Sequence, residues 1–145
     1  MKVKDILKST EGRKLPIIRE DETVRDVLKK IVAHPHTRLI YVVNKEGTYV
    51  GVISLGTLIR NVFPHFYEPA VHPRSLIRMV TSETAKDIMN KQIICATHEE
   101  SVESVVERMI KAKIKEIAIV DEEKKIIADV TMLDLLQYYH LTEDE

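Results

Sequence analysis

Few residues of this sequence have the types and spacing that direct chemistry requires. The single cysteine, Cys95, lies in an apolar run, which favours a small buried side chain over a reactive thiol. His34 and His36 lack the i, i+4 spacing and the nearby cysteine of a zinc site, so we expect no metal. The sequence contains no P-loop, GxGxxG or GxSxG motif. With no nucleophile or base to name, we expect no catalysis.

Two short segments place hydroxyl groups at predicted helix starts, and one of them adds a carboxylate. Thr131 stands three residues before Asp134, and Ser54 stands three residues before Thr57. Threonine followed by an acid at this spacing is close to a helix capping box, which recurs at Thr84–Asp87, where we expect capping alone. The residues leave two roles open for Thr131 and Asp134, namely helix capping and ligand binding.

The elements that carry these segments occur twice along the chain. Three stretches align between the repeats at offsets of 82, 78 and 77, namely residues 3–7 with 85–89, 23–28 with 101–106, and 36–58 with 113–135. The first repeat has extra residues around Ser9–Leu15 and one more near His34–His36. Both insertions fall in predicted turns, as expected for a structural repeat.

Each repeat has the predicted order α-β-α-β-β-α. A helical Lys-Asp-Ile segment precedes a short apolar strand, at residues 15–18 and 93–96. Apolar residues at i, i+3, i+4 and i+7 from Val24 and Val102 predict amphipathic helices. Two β-branched strands joined by a polar turn then lead into a closing helix. One repeat has an incomplete core, so we expect two repeats packed through their sheets into one α+β body.

We divide the 145 residues into repeat one at 1–62, a connector at 63–84 and repeat two at 85–145.

Composition limits the classes of protein that fit. The net charge of −1, from 22 basic and 23 acidic residues, argues against a dedicated nucleic-acid binder. The start is too polar for a signal peptide, and no apolar stretch approaches the ~20 residues that span a bilayer. We expect a cytoplasmic protein without a membrane partner.

The order of elements and the residues that close each repeat resemble CBS (cystathionine-beta-synthase) domains, a family that pairs two repeats into a Bateman module. The most telling element is a strand ending in Gly, two apolar residues and Thr or Ser, followed by two residues and Asp. Repeat one has Gly51-Val52-Ile53-Ser54-Leu55-Gly56-Thr57-Leu58, and repeat two has Ala128-Asp129-Val130-Thr131-Met132-Leu133-Asp134-Leu135. The resemblance covers nearly the whole chain and implies two α+β repeats related by pseudo-two-fold symmetry.

The resemblance also implies a nucleotide site in repeat two. Asp134 would accept hydrogen bonds from two ribose hydroxyls, and Thr131 would lie near the ribose or phosphate. A carboxylate offers only acceptors, and a helix N-terminus favours an anion, so both roles are chemically sensible. The adenine would lie between the first strand and Ala118, at Ile93, Ile94 and Cys95. The candidate phosphate contacts are Arg38, Arg74, Arg78, Lys86, Lys113 and Lys115.

Both repeats depart from the family pattern. Thr57 replaces the acid in repeat one, so a ribose there would be held more weakly, and we expect Tyr41 to fill the space for a base. The second candidate site comprises Ser54, Thr57, Tyr41, Pro16 and Ile17. In repeat two, Ala128 and Asp129 stand where Gly and an apolar residue are usual, which puts a carboxylate on the last strand.

The resemblance therefore implies a regulatory module that binds an adenosine-type nucleotide in the cleft between the repeats. AMP, ADP, ATP and S-adenosylmethionine are the candidate ligands, and no cofactor is required. A homodimer formed through the helices of both repeats and a regulated protein partner, which the sequence does not identify, are also implied. Thr57 and Ala128-Asp129 favour the alternative, a structural or protein-interaction module without a nucleotide.

Overall fold

The computed structural model describes residues 1–63 and 83–143, with side chains up to Tyr139. In chain order the elements are α1 (Lys4–Leu7), a 3-10 turn (Lys8–Thr10), β1 (Ile17–Arg19), α2 (Val24–Val32), β2 (Leu39–Val43), β3 (Tyr49–Ser54), α3 (Leu55–Val62), α4 (Ala85–Ile88), β4 (Cys95–Ala96), α5 (Val102–Ala112), β5 (Glu116–Val120), β6 (Ile126–Thr131) and α6 (Met132–Glu143). These elements form two compact units. We call residues 16–93 the continuous unit, and residues 1–15 together with 94–145 the discontinuous unit.

The continuous unit is built on a three-stranded sheet in the order β1-β2-β3. The β1–β2 pair is parallel and the β2–β3 pair is antiparallel. Thr23 begins α2 with a capping box, in which its hydroxyl accepts from the Asp26 backbone and the Asp26 carboxylate accepts from the Thr23 backbone. The core combines residues of the sheet and the helices, namely Ile18, Val27, Ile31, Ile40, Val42, Ile53, Leu58 and Ala85.

The discontinuous unit repeats this plan with the sheet order β4-β5-β6. Its first strand pair is again parallel and its second antiparallel. Ser101 caps α5 by accepting from the Ser104 backbone. The alternation along β5 and β6 sends side chains of one parity into the helix-covered core, which contains Val3, Ile6, Ala96, Val105, Met109, Ile117, Ile119, Val130 and Leu135.

The short opening helix of each repeat is built into the unit that holds the strands of the other repeat. Around α1, the Val3 N–H donates to Glu100 O at 2.9 Å, and the Val102 N–H donates to Met1 O at 3.0 Å. Around α4, the Val24 N–H donates to Glu83 O and the Ala85 N–H donates to Glu22 O, both at 2.8 Å. The units therefore differ from the sequence repeats in which opening helix they contain, while the repeat boundaries themselves stay a prediction.

The predicted α+β class and the order of elements in both repeats are confirmed. Two strands differ in extent from the prediction. The strand expected at residues 93–96 is limited to Cys95–Ala96, since the chain still turns at Ile93, whose N–H donates to Lys91 O. The strand expected at residues 15–18 is shifted to Ile17–Arg19, because its parallel pairing with Tyr41 begins at Ile17.

Candidate functional site

Thr131 and Asp134 form a capping box at the start of α6. The Asp134 N–H donates to Thr131 Oγ1 at 3.1 Å, and the Thr131 N–H donates to Asp134 Oδ2 at 2.8 Å. Two of the backbone N–H groups at the start of α6 are thereby satisfied. A related cap occurs at Thr84 and Asp87, where the sequence predicted it: the Thr84 N–H and hydroxyl donate to Asp87 Oδ2 at 2.8 and 3.1 Å.

Asp134 also forms a bidentate ion pair with Arg13. Arg13 Nη1 donates to Asp134 Oδ2 at 2.8 Å, and Arg13 Nη2 donates to Asp134 Oδ1 at 2.6 Å. Arg13 Nη1 donates as well to Asp129 Oδ1, at 3.3 Å. We call these three side chains the Arg13 cluster. Its carboxylates are 5% and 7% exposed, and the Arg13 side chain is 32% exposed.

The environment shifts the pKa values of the two carboxylates of the Arg13 cluster in opposite directions. Burial raises the pKa of Asp134, but hydrogen bonds from Arg13 and from the Thr131 backbone outweigh it and hold that pKa below its ordinary value. Burial raises the pKa of Asp129 above its ordinary value, and the charge of Arg13 offsets only part of that effect. Asp134 is therefore firmly ionised at neutral pH, whereas the Asp129 anion depends on Arg13 for its stabilisation.

The sheet of the discontinuous unit brings together the residues predicted to surround an adenine. Cys95 pairs with Ala118 across the parallel strands, and Ala118 pairs with Asp129 across the antiparallel strands. Directly opposite residues on neighbouring strands share one face, so these three side chains form a row on that face. Ile94 packs against the apolar core, and both Ile93 and Ile94 precede β4.

The row is anchored from α5. Arg108 Nη1 donates to Cys95 O at 2.8 Å and to Glu100 Oε2 at 3.0 Å. Arg108 thereby connects β4 to the loop before α5. Cys95 is half-buried, and desolvation raises the pKa of its thiol above the ordinary value although nearby cations oppose the shift. The protonated thiol is the stable form at neutral pH, in agreement with the expected packing role.

The corresponding row of the continuous unit is more filled. Ile17 pairs with Tyr41, and the Tyr41 N–H donates to Pro16 O at 2.8 Å. The Tyr41 side chain is buried and packs edge-to-face against Tyr49, with ring centroids 5.7 Å apart. At the start of α3, the Thr57 N–H donates to Ser54 Oγ at 3.1 Å. This packing agrees with the expectation that Tyr41 fills space.

Two of the predicted phosphate contacts occupy equivalent positions before the closing helices. The Leu55 N–H, the first of α3, donates to Arg38 O at 2.9 Å. The Met132 N–H, the first of α6, donates to Lys115 O at the same distance. Both side chains belong to exposed residues. Arg38 and Lys115 therefore lie beside helix N-termini whose first N–H groups already donate to backbone carbonyls.

The other predicted cations are more scattered. Lys113 ends α5 in the left-handed conformation, with φ of 59°, and Lys86 is an exposed residue of α4 in the continuous unit. Arg74 and Arg78 lie outside the described residues, as does most of the predicted connector. Within residues 1–63 and 83–139, no group of three or more His, Cys, Asp or Glu side chains is placed to hold a metal ion. In the same part of the chain, no helix has the length and hydropathy of a membrane span.

A cavity of about 430 Å³ opens beside the Arg13 cluster, between the opening segment and the edge strand β6. The lining residues are Lys4, Leu7, Lys8, Thr10, Glu11, Gly12, Arg13, Leu15, Ile127, Ala128 and Asp129. The cavity lies wholly within the discontinuous unit.

Arg13 is the residue that the sequence interpretation missed. Two indications pointed to it. The first repeat has surplus residues around Ser9–Leu15, and Asp129 puts a carboxylate where an apolar residue is usual. A buried carboxylate on a strand requires a cation or hydrogen-bond donors. Sequence spacing alone does not identify a partner that lies more than a hundred residues away.

Comparison with known proteins assigns the family. The family model for the CBS domain matches residues 3–63 and 85–141. The chain belongs to the CBS domain family. The two matches make it a tandem CBS pair, and residues of both CBS domains contribute to each of the two units.

Three related proteins illustrate this membership. The uncharacterized protein MJ1426 of Methanocaldococcus jannaschii is 26% identical, over 94% of this chain and 90% of its own length. The structure of CBSX2 from Arabidopsis thaliana in complex with AMP matches with a TM-score of 0.77, over 98% of both chains, and its 19% identity shows the fold alone. The cytosolic domain of the Mg²⁺ channel MgtE in complex with ATP is 28% identical with a TM-score of 0.64, over 86% of this chain and 44% of that one.

Proposed function

We propose that this CBS pair is a regulatory module that binds an adenosine-type nucleotide at the site around Thr131 and Asp134, and that it has no catalysis of its own. The observation that carries the proposal is the buried carboxylate of Asp134, whose two oxygens are held in a fixed orientation at the start of α6. Two parallel N–H donors from Arg13 contact its two oxygens. A carboxylate that is buried, ionised and oriented in this way can accept two hydroxyl groups of a ribose with the same pair of oxygens.

Several further features support the site in the second CBS domain. The small side chain of Ala118 lies beside Cys95, whereas the larger Tyr41 stands at the equivalent position of the first domain. Lys115, a cation suited to a phosphate, lies beside the start of α6. Related CBS structures hold AMP and ATP. We propose AMP, ADP, ATP or S-adenosylmethionine as the ligand and Ser54, Thr57, Tyr41, Pro16 and Ile17 as a weaker second site.

A thermal-shift and calorimetric titration with these four ligands tests the proposal. A ligand at 100 times its Kd stabilises the folded chain by about 2.7 kcal/mol, which corresponds to roughly 5–11 °C in Tm for this size. Asp134→Asn removes the charged acceptor and is expected to abolish the shift. Asp87→Asn removes the acid of the equivalent capping box on α4, so it lowers the starting Tm slightly and leaves the ligand-induced increment intact.

One observation favours a second candidate function, that of a structural or protein-interaction module without a nucleotide. Arg13 already satisfies both oxygens of Asp134, so the carboxylate has its hydrogen-bond partners without a ligand. The same titration separates the two functions. If none of the four ligands shifts the Tm or gives heat on binding, the interaction module is the correct function.

We also propose that the chain forms a homodimer through its closing helices. On α6, the Leu133 and Leu136 side chains are 70% and 65% exposed and stand three residues apart, which puts them on one side of the helix. On α3, Ile59 is 42% exposed and is the sequence equivalent of Leu136. Exposed apolar side chains on two equivalent helices are typical of a surface that a second copy covers.

A further inference from the structure

We propose that Arg13 is a built-in competitor for the nucleotide, and that ligand binding displaces it and releases the segment from Lys8 to Leu15. This inference rests on the proposed function, since it concerns how access to the Asp134 carboxylate is regulated. Arg13 donates to both Asp134 oxygens, and those oxygens are the acceptors that a ribose diol needs. The guanidinium and the diol cannot occupy them together.

The oxygens of Asp134 are arranged so that this exchange leaves α6 intact. Asp134 Oδ2 accepts from the Thr131 N–H as well as from Arg13 Nη1, whereas Oδ1 accepts from Arg13 Nη2. A carboxylate has about four acceptor positions in all, so the cap and the second partner use different ones. Replacing Arg13 by a diol therefore keeps the capping bond from Thr131.

Asp129 helps to hold Arg13 in its position against Asp134. Its carboxylate lies 3.3 Å from Arg13 Nη1 and stands at a sequence position where the family pattern has an apolar residue. Because burial disfavours the Asp129 anion, Arg13 gains a second, poorly solvated partner there. The added carboxylate has no evident role in holding a neutral ribose, and its contact is with the competing cation.

The segment that carries Arg13 is short and irregular. Arg13 lies outside the helices and strands, after the 3-10 turn and before β1. Gly12, with φ of 79°, reverses the chain, and the Arg13 N–H donates to Thr10 O at 3.2 Å. Residues around Ser9–Leu15 are also the surplus of the first repeat over the second. The competitor is therefore presented on an inserted turn.

The experiment compares adenosine with AMP, using isothermal titration of the full chain and of Arg13→Ala. If the competitor occupies the site nine-tenths of the time, its removal raises affinity about tenfold. Arg13→Ala is therefore expected to bind both adenosine and AMP about tenfold more tightly than the wild type. If Arg13 is instead a phosphate ligand, the variant binds AMP more weakly and adenosine unchanged, and this result overturns the inference.

Two further variants guard against misinterpretation. Lys14→Ala removes a neighbouring exposed cation and is expected to leave both affinities unchanged. Asp129→Asn weakens the hold on Arg13 without touching Asp134, so it is expected to tighten binding even if Arg13→Ala folds poorly. Unchanged affinity in both Arg13→Ala and Asp129→Asn overturns the inference while wild-type binding keeps the proposed function. Absence of binding in every variant contradicts the proposed function itself.

Hydrogen exchange provides a readout that does not depend on variants. Displacement predicts that AMP speeds amide exchange in residues 8–15 and slows it at residues 131–134 of the wild-type chain. Slower exchange in both segments would mean that Arg13 stays bound beside the ligand, and it would overturn the inference.

Discussion

At the scale of single residues, capping and ligand binding are compatible roles for Asp134. The sequence left both roles open. In the structure the Thr131 N–H donates to Asp134 Oδ2 at 2.8 Å, and Arg13 donates to the same carboxylate. The capping bond from the Thr131 N–H holds the Asp134 carboxylate in position, so capping also orients the oxygens that a ligand would use. In the neighbouring row, the proximity of Cys95 and Ala118 was implied by the family resemblance, whereas the position of Asp129 opposite Ala118 was not predicted.

Cys95 offers a natural probe at this scale. Burial raises the pKa of its thiol, so less thiolate is present at neutral pH than in an ordinary cysteine. We expect iodoacetamide at pH 7.5 to modify Cys95 several-fold more slowly in the folded chain than in guanidinium, with the rate in the folded chain still rising at pH values where that of the unfolded chain has levelled off. Mass spectrometry measures the rate cleanly because the chain has one cysteine.

The same alkylation test reports on the proposed base position. A nucleotide whose adenine lies over Cys95 is expected to slow the modification further, and inorganic phosphate at the same concentration is the control. A folded chain that reacts as fast as the denatured one would contradict the packing assigned to Cys95. Protection by phosphate alone would contradict the position assigned to the adenine.

At the scale of elements, each opening helix fits the sheet that it joins. Gly51 of β3 lies against Met89, and a Cβ added at Gly51 would come within 2.3 Å of the Met89 sulfur and 3.1 Å of its Cβ. In the discontinuous unit the equivalent residues are Ala128 and Leu7, which pack against the same core. The strand residue is therefore Gly51 where the opening-helix neighbour is Met89, and Ala128 where that neighbour is Leu7.

This fit predicts that Gly51→Ala destabilises the chain through Met89. Overpacking of this kind costs about 1–3 kcal/mol, and urea denaturation measures it as a lower midpoint. Shortening the neighbour by Met89→Ala in the same chain is expected to recover part of that loss, so the double variant loses less than the two single variants together.

A second glycine supplies the control for this test. A Cβ at Gly56 on α3 would meet only Ser54 Oγ, at 3.8 Å. Gly56→Ala is therefore expected to be neutral or stabilising by up to about 1 kcal/mol, since alanine favours a helix. Equal losses at both glycines, or strict additivity of Gly51→Ala with Met89→Ala, would show that Met89 is not the cause.

The elements themselves were largely predictable, but their partners were not. Periodic apolar residues identify α2 and α5, and the Lys-Asp-Ile segments identify α1 and α4. The sequence of a four-residue helix does not indicate which sheet the helix packs against. Local periodicity identifies the apolar face of a helix, but it does not identify the element that covers that face. The exchange of α1 and α4 and the long-range pairing of Arg13 both belong to this class of tertiary information.

At the scale of the whole molecule, the tandem CBS pair consists of two units with the same sheet order and different site chemistry. The discontinuous unit has Asp134, a small Ala118 and the Arg13 cluster. The continuous unit has Thr57 and a buried Tyr41 at the equivalent positions. Under the proposed function, we expect the response to a ligand to come mainly from the site in the second CBS domain.

The proposed homodimer is tested at this scale. Leu136→Glu puts a charge into the apolar surface of α6 and is expected to convert a dimer of about twice the chain mass into a monomer in light scattering coupled to size exclusion. Ile110→Glu is the matched control, because Ile110 is 63% exposed and lies on α5, outside the closing helices. A wild-type monomer, or dissociation by both variants, would contradict a dimer formed through α3 and α6.

Because of the order of segments along the chain, the two units become complete at different times during synthesis. Every partner within the continuous unit has been synthesised once Ile93 is added. The Val3 N–H, in contrast, pairs with Glu100 O, which emerges about a hundred residues later. At 5–20 residues per second that delay is roughly 5–20 s. Throughout it the apolar side chains of Val3 and Ile6 are without their final core, so this segment stays exposed longer than any part of the continuous unit.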